Sequence, residues 1–177
     1  MSTDDGSRAD RVREALDRYE APLIGYATRL TGNPEVARDV VQDTFVKLCT
    51  ADWAKIEAHL APWLYRVCRN RAFDVLKKEK RMQPLAEGQA EARPDTKPVP
   101  GDVAEGHEAE ALVHAALAKL PEKNQEVFRL KFQHELSYKE ISEVTGYELN
   151  NIRYIIHTTL KSLRQQLRGR LDPALEQ

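Results

Sequence analysis

Cysteine is scarce in this chain: the two present, Cys49 and Cys68, stand far apart and lack the paired spacing of a zinc ribbon or redox motif. No disulfide framework follows, and both read as small buried hydrophobes on helices. The five histidines are scattered and form no H-x-x-x-H pair, so no metal site is expected. No run of about 18 apolar residues occurs, which excludes a transmembrane helix. Residues 1–10 are polar and acidic rather than basic then apolar, unlike a secretory signal. A cytoplasmic protein without membrane insertion is expected. A Gly-rich phosphate loop is missing, as is any nucleophile, base and orienting group at interpretable spacing. Neither catalysis nor a cofactor is therefore expected. Strand-type alternation is also missing, which leaves an all-α fold.

What is present suits one or two small helical domains: 177 residues, 41% of them hydrophobic. The net charge of −1 conceals a marked segregation. Arg66, Arg69, Arg71, Lys77, Lys78, Lys80 and Arg81 face only Asp74 and Glu79 in the same stretch, and Lys161 to Arg170 holds bases without an acid. Between them, Glu87, Glu91, Asp95, Asp102 and Glu105 outnumber Arg93 and Lys97. A basic, acidic, basic order points to nucleic acid more strongly than the sum does.

The acidic stretch, 83–107, is rich in proline and glycine and poor in large apolar residues, so it is expected to be a flexible linker between two small helical domains. Fully extended it reaches about 80 Å, more than two turns of duplex at roughly 34 Å each. The expected layout is a disordered start over 1–10, a first lobe over 11–82, the linker, a second lobe over 108–170 and a tail over 171–177. So short a tail leaves no room for a further regulatory domain, and control is expected from an external partner.

In the first lobe, Val12, Ala15, Leu16 and Tyr19 suggest one helix, and Leu23, Tyr26, Ala27 and Leu30 a second that stops at Thr31-Gly32. Asn33 is a suitable N-cap and Pro34 a suitable first helical residue, so a third helix runs to about Cys49 with Val36, Val40, Val41, Phe45 and Leu48 inward. Residues 50–61 read as a loop with at most one helical turn. A long helix from about Pro62 to Lys80 is expected to bury Leu64, Val67, Leu76 and either Phe73 or Ala72.

The second lobe carries the sharpest local signal. Ser137 followed by Glu140 is a capping box, Ile141 and Val144 repeat at helical spacing, and Gly146 stands where a left-handed residue is least costly. Beyond it Ile152, Ile156, Leu160, Leu163 and Leu167 form an apolar stripe, leaving Asn150, Asn151, Arg153, Tyr154, His157 and Lys161 largely off that face. This is a helix-turn-helix, whose second helix presents its N-terminal residues to the major groove. A plain helical hairpin with a solvated polar face is the alternative.

Three blocks in order carry a family likeness: Leu30-Thr31-Gly32-Asn33-Pro34, then Asp39-Val40-Val41-Gln42-Asp43-Thr44-Phe45, then Trp63 through Leu76. They resemble region 2 of the extracytoplasmic-function sigma factors of bacterial RNA polymerase. Leu120-Pro121 and Leu136 to Ile141 resemble region 4 of the same family, and the likeness covers about Arg11 to Leu167.

The resemblance implies an alternative sigma factor that binds core RNA polymerase at the clamp helices of the largest subunit and the flap of the second-largest. Asp39, Gln42 and Asp43 are its implied polymerase contacts, with Phe45 in the core. Arg38 departs from the family, where an acid is common. For the minus-ten element, opened to single strands, it implies Trp63, Arg66, Arg69, Asn70, Arg71, Lys77 and Lys78. Trp63 and Tyr65 are candidate stacking faces, although Trp63 equally suits a core or interface anchor. The loop over 50–61 is implied to receive an extruded base near Asn70. Asp74 is expected to pair with a neighbouring arginine. For the minus-thirty-five duplex the candidates are Ser137, Lys139, Asn150, Asn151, Arg153, Tyr154, His157, Thr158 and Lys161. Ile155 and Thr158 occupy places that are often basic in the family, so weaker phosphate attraction is expected. The linker is implied to thread the polymerase channel, with an inert tether as the alternative. An anti-sigma factor is the implied inhibitor. A duplex-binding regulator that dimerises through its first lobe is the competing function; it gives no purpose to the Gln42 motif or the basic Asn70 helix.

Overall fold

The computed structural model describes residues 3–82 and 107–168, with side chains from 8 and from 111 onward respectively. The expected linker up to residue 106, the close of the second lobe at 169–170 and the tail at 171–177 lie outside the described residues. Every described element is helical, and the chain divides into two compact units at residues 98 and 99.

The first unit is three long helices packed against one another: α1 (Thr3–Thr31), α2 (Pro34–Thr50) and α4 (Leu60–Met82), with a short α3 (Trp53–Ile56) and a 3-10 turn (Glu57–His59) between the last two. Two expectations are corrected in α1. It begins at Thr3, inside the stretch expected to be disordered, and it continues through Pro22 rather than splitting into two helices. Contacts far away in sequence explain the early start: the Arg8 guanidinium donates to the Ala51 carbonyl, and that of Arg11 lies 5.4 Å from the Trp53 ring centre. The continuity has a similar cause. A proline inside a helix costs about 3 kcal/mol, but Ala15, Leu23, Tyr26, Ala27 and Leu30 stay in helical register on both sides of Pro22 and are all buried. At roughly 1.5–3 kcal/mol for each large buried side chain, that seam outweighs the lost backbone bond.

The turn into α2 follows the local chemistry. Gly32 takes φ 71°, and Asn33 caps α2 by accepting from the backbone N–H of Glu35 at 2.9 Å and of Val36 at 3.4 Å. Ala37, Val40, Val41, Thr44, Phe45 and Leu48 are buried, whereas Val36, expected inward, is half-buried. On α4 the buried set is Pro62, Leu64, Tyr65, Cys68 and Ala72. Ala72 therefore takes the core position and Phe73 is exposed, while Val67 and Leu76 are half-buried.

In the second unit α8 (Leu149–Leu167) packs on α5 (His107–Ala118), α6 (Glu122–Phe132) and α7 (Tyr138–Thr145). The capping box at α7 is complete: Ser137 Oγ accepts from the Glu140 N–H at 3.2 Å, and the Glu140 carboxylate accepts from the Ser137 N–H at 2.7 Å. Gly146 ends α7 in the left-handed region at φ 74°. Thr145 Oγ1 then accepts from the Tyr147 N–H, and Ser142 Oγ donates to the Tyr147 carbonyl at 2.6 Å. Those bonds fix the angle at which α8 leaves the turn. The apolar stripe of α8 is wider than expected: Ile152, Ile155, Ile156, Thr159 and Leu163 are buried, and Leu160 and Leu167 only partly. Three helices cover α8, and their combined packing buries a wider face than the expected stripe.

Candidate polymerase and nucleic-acid interfaces

The outer side of α2 carries the first group. Asp39 and Gln42 are exposed, and Val46, one turn on, is 60% exposed on the same side. Asp43 does not stand free beside them. Its carboxylate accepts from Arg71 Nε at 2.6 Å, joining α2 to α4 across 28 positions of sequence. Arg71 is thereby drawn from the expected DNA set toward α2, and it is Asp43 rather than Asp74 that holds this arginine. Arg38 pairs with Glu35 at 2.8 Å on its own helix, so its charge is offset locally.

On α4, Arg66, Asn70, Lys77 and Lys78 are exposed, Arg69 is half-buried, and Trp63 is half-buried in the first turns of the helix. Arg66, Arg69, Asn70, Lys77 and Lys80 recur at helical spacing on the side opposite Leu64, Cys68 and Ala72. This makes one predominantly basic stripe facing away from the core, with Asn70 neutral within it and Asp74 exposed beside it. Tyr65 is not part of it. Its ring is buried edge-on against Tyr26, with centroids 5.2 Å apart, and burial pushes its hydroxyl pKa upward. It offers no stacking face. Phe73 does: it is 42% exposed, and the Arg69 guanidinium lies 4.6 Å from its ring centre. Sequence reasoning missed this because Phe73 and Ala72 are adjacent and both fit an apolar position. The segment over 50–61 is mostly helical, with Ile56 anchoring it in the core and Trp53 held under Arg11.

The third group lies at the start of α8. Asn150, Arg153, Tyr154, His157 and Lys161 are exposed, with Tyr154 at 68%, while Asn151 and Thr158 are half-buried. Arg153 Nη1 donates to Asn150 Oδ1 at 3.3 Å, and the Thr158 hydroxyl is turned back on the carbonyls of Tyr154 and Ile155. Ile155 is 4% exposed and belongs to the core, so a base there would have no access to DNA. Ser137 spends its hydroxyl on the cap, and Lys139 is exposed on α7. The face is chemically mixed: amides, a phenol, an imidazole and few cations.

Residues 15–82 match the family model for sigma-70 region 2, and residues 110–163 that for sigma-70 region 4. The chain is 31% identical over 166 residues to an ECF RNA polymerase sigma factor, RpoE, of Cereibacter sphaeroides, covering 93% of this chain and 88% of that one. It is 27% identical over 168 residues to the ECF RNA polymerase sigma factor SigW of Bacillus subtilis, covering 90% of each. Among solved structures, the sigma factor RpoE of Bartonella quintana, crystallised with the anti-sigma factor NepR, shares the fold with a TM-score of 0.56 at 19% identity, over 88% of this chain and 96% of that one. No helix among the described residues is long and apolar enough to cross a membrane. Two sigma-region matches in order, and relatives aligned along nearly the whole length, place the chain in the extracytoplasmic-function sigma factors, the alternative sigma factors that direct RNA polymerase to initiate at promoters.

Proposed function

We propose that the two lobes divide promoter recognition, the first gripping polymerase through α2 and holding the opened minus-ten strand on α4, the second reading the minus-thirty-five duplex through α8. The observation that carries this is the α4 stripe, a face opposite the core on which Arg66, Arg69, Lys77 and Lys80 outnumber the exposed acid Asp74. A single strand is held by positive charge along its backbone and by flat groups under its bases. Arg66, Arg69, Lys77 and Lys78 supply the charge, Asn70 adds a neutral hydrogen-bonding amide among them, and Trp63 stands near the head of the helix. Asp39 and Gln42 are the proposed polymerase contacts, joined by Asp43 through its bond to Arg71. For the duplex, Asn150, Asn151, Arg153, Tyr154 and His157 offer base-edge hydrogen bonding, and Lys139 and Lys161 phosphate contact. Ser137 serves that face through its cap, and Thr158 from its edge.

The acidic linker is proposed to run through a basic polymerase channel, and an anti-sigma factor is the proposed inhibitor. The complex in which the Bartonella quintana sigma factor was solved supports the latter. Reconstitution with bacterial core polymerase on genomic DNA tests the whole assignment. Start-site-specific transcripts are expected; failure to bind core polymerase would overturn it.

A further inference from the structure

Phe73 is the one large aromatic of α4 that is exposed; Trp63 is half-buried and Tyr65 buried. Around it on the same side stand Arg66, Arg69, Asn70, Lys77 and Lys80, while Ala72, the residue before it, is fully buried. Helical geometry turns consecutive side chains by about 100°, so Phe73 cannot share the core with Ala72. A phenyl ring left 42% exposed forgoes much of the stabilisation that burial would give. Single exposed hydrophobics are ordinary on protein surfaces, but this one lies among four cations, Arg66, Arg69, Lys77 and Lys80, with Asp74 as the one acid beside it. It is also ordered there, with the Arg69 guanidinium layered 4.6 Å from the ring centre. Such a contact holds both planar groups in place at little entropic cost and puts a cation beside the ring. Charge flanking a flat apolar face is the arrangement that binds unpaired bases without depending on their identity.

We infer that Phe73, held by Arg69, is a stacking platform for one unpaired base of the opened promoter strand. This rests on the assignment of α4 as the strand-holding helix. The ring contributes stacking and the surrounding cations contribute phosphate attraction, so the two contributions separate under salt. Replacing the ring weakens binding at every salt concentration without changing the slope, because no counterion is released by a neutral side chain.

The test uses holoenzyme made from the full chain and core polymerase, on a promoter recovered from the genomic transcription assay. The minus-ten region is held open by mismatches, and an abasic site is placed at each non-template position in turn. Phe73→Leu is expected to weaken binding about tenfold, within the range for loss of one base–aromatic stack, whereas Phe73→Tyr retains it. One abasic position should cost the native protein a similar factor and cost Phe73→Leu nothing more. Leu and Tyr variants that lose affinity equally would overturn the inference, as would Phe73→Leu binding normally while Lys77→Ala weakens. In the second case the assignment of α4 would stand. If neither variant weakened binding, that assignment would fall with the inference. A Phe73→Leu defect confined to core polymerase affinity would make the ring a protein contact and overturn the stacking role.

Discussion

The outward faces of α4 and α8 are built from the same local rule, an amphipathic helix with its apolar side in a small core, yet they offer opposite chemistry. On α4 the face is predominantly cationic along several turns, with Asp74 as its one acid, and holds one exposed ring. On α8 the exposed residues of the first turns are mostly neutral hydrogen-bonding groups, with Arg153 as the cation there and Lys161 further along. A backbone-tracking surface needs charge and tolerates any base, whereas a reading surface needs directional donors and acceptors. Under the proposed division the first lobe supplies strength and the second selectivity, which would let a chain with net charge −1 bind DNA.

The largest test of this comparison asks whether the lobes can be damaged separately. Both tryptophans, Trp53 and Trp63, lie in the first, so their fluorescence reports its unfolding. Leu64 is fully buried there, and Leu64→Ala should lower its stability by about 2–5 kcal/mol. Leu130→Ala, an equally buried change in the second lobe, should leave the tryptophan transition where it was. Next in size, Arg153→Ala should cost about 1–3 kcal/mol at one position of the upstream element and relax its sequence preference. Selection from randomised upstream sequences would check this, since a uniform loss across sequences would reassign Arg153 to phosphate.

Ser137→Ala removes a hydroxyl that caps α7 and should destabilise the second lobe by about 1 kcal/mol, measured by circular dichroism during urea unfolding. An effect of similar size concerns alkaline pH. Burial pushes the Cys68 thiol up to about 12 from an ordinary 9.0, partly opposed by a hydrogen bond with Thr44. Above pH 9 the unfolded chain loses that proton while the folded lobe keeps it. Stability contributed at lower pH is therefore lost as pH rises, by up to about 1.4 kcal/mol per unit. Comparing tryptophan-monitored unfolding at pH 8 and 10 in the native chain and in Cys68→Ala should show a smaller decline in the variant.

Much of this fold was legible where the determinants are local. The Asn33 cap, the Ser137–Glu140 box and the Gly146 turn each involve neighbours within a few residues, and each formed as its chemistry dictates. What could not be read depends on contacts across the lobe. The two helices expected on either side of positions 20–22 are one, because Pro22's cost is local while the seam that overrides it is made with α2 and α4. Tyr65 looked available for stacking until Tyr26 covered it. The Asp43–Arg71 bond was invisible because its halves belonged to two separately assigned surfaces. On α8, Ile155 became core only because three helices surround it. Outward faces were harder to foresee than caps, since exposure is decided by what packs on the other side.

The division of labour is tested most directly by running two variants through one pair of assays on a single promoter. Lys77→Ala/Lys78→Ala and Arg153→Ala holoenzymes are compared at saturating concentration for opening, by permanganate reactivity of unpaired thymines, and for upstream sequence preference by competition. The lysine variant is predicted to lose opening, and about two units of salt slope, with its preference unchanged. The Arg153 variant is predicted to open normally once bound while its preference relaxes. Equal losses by both variants in both assays would contradict the account.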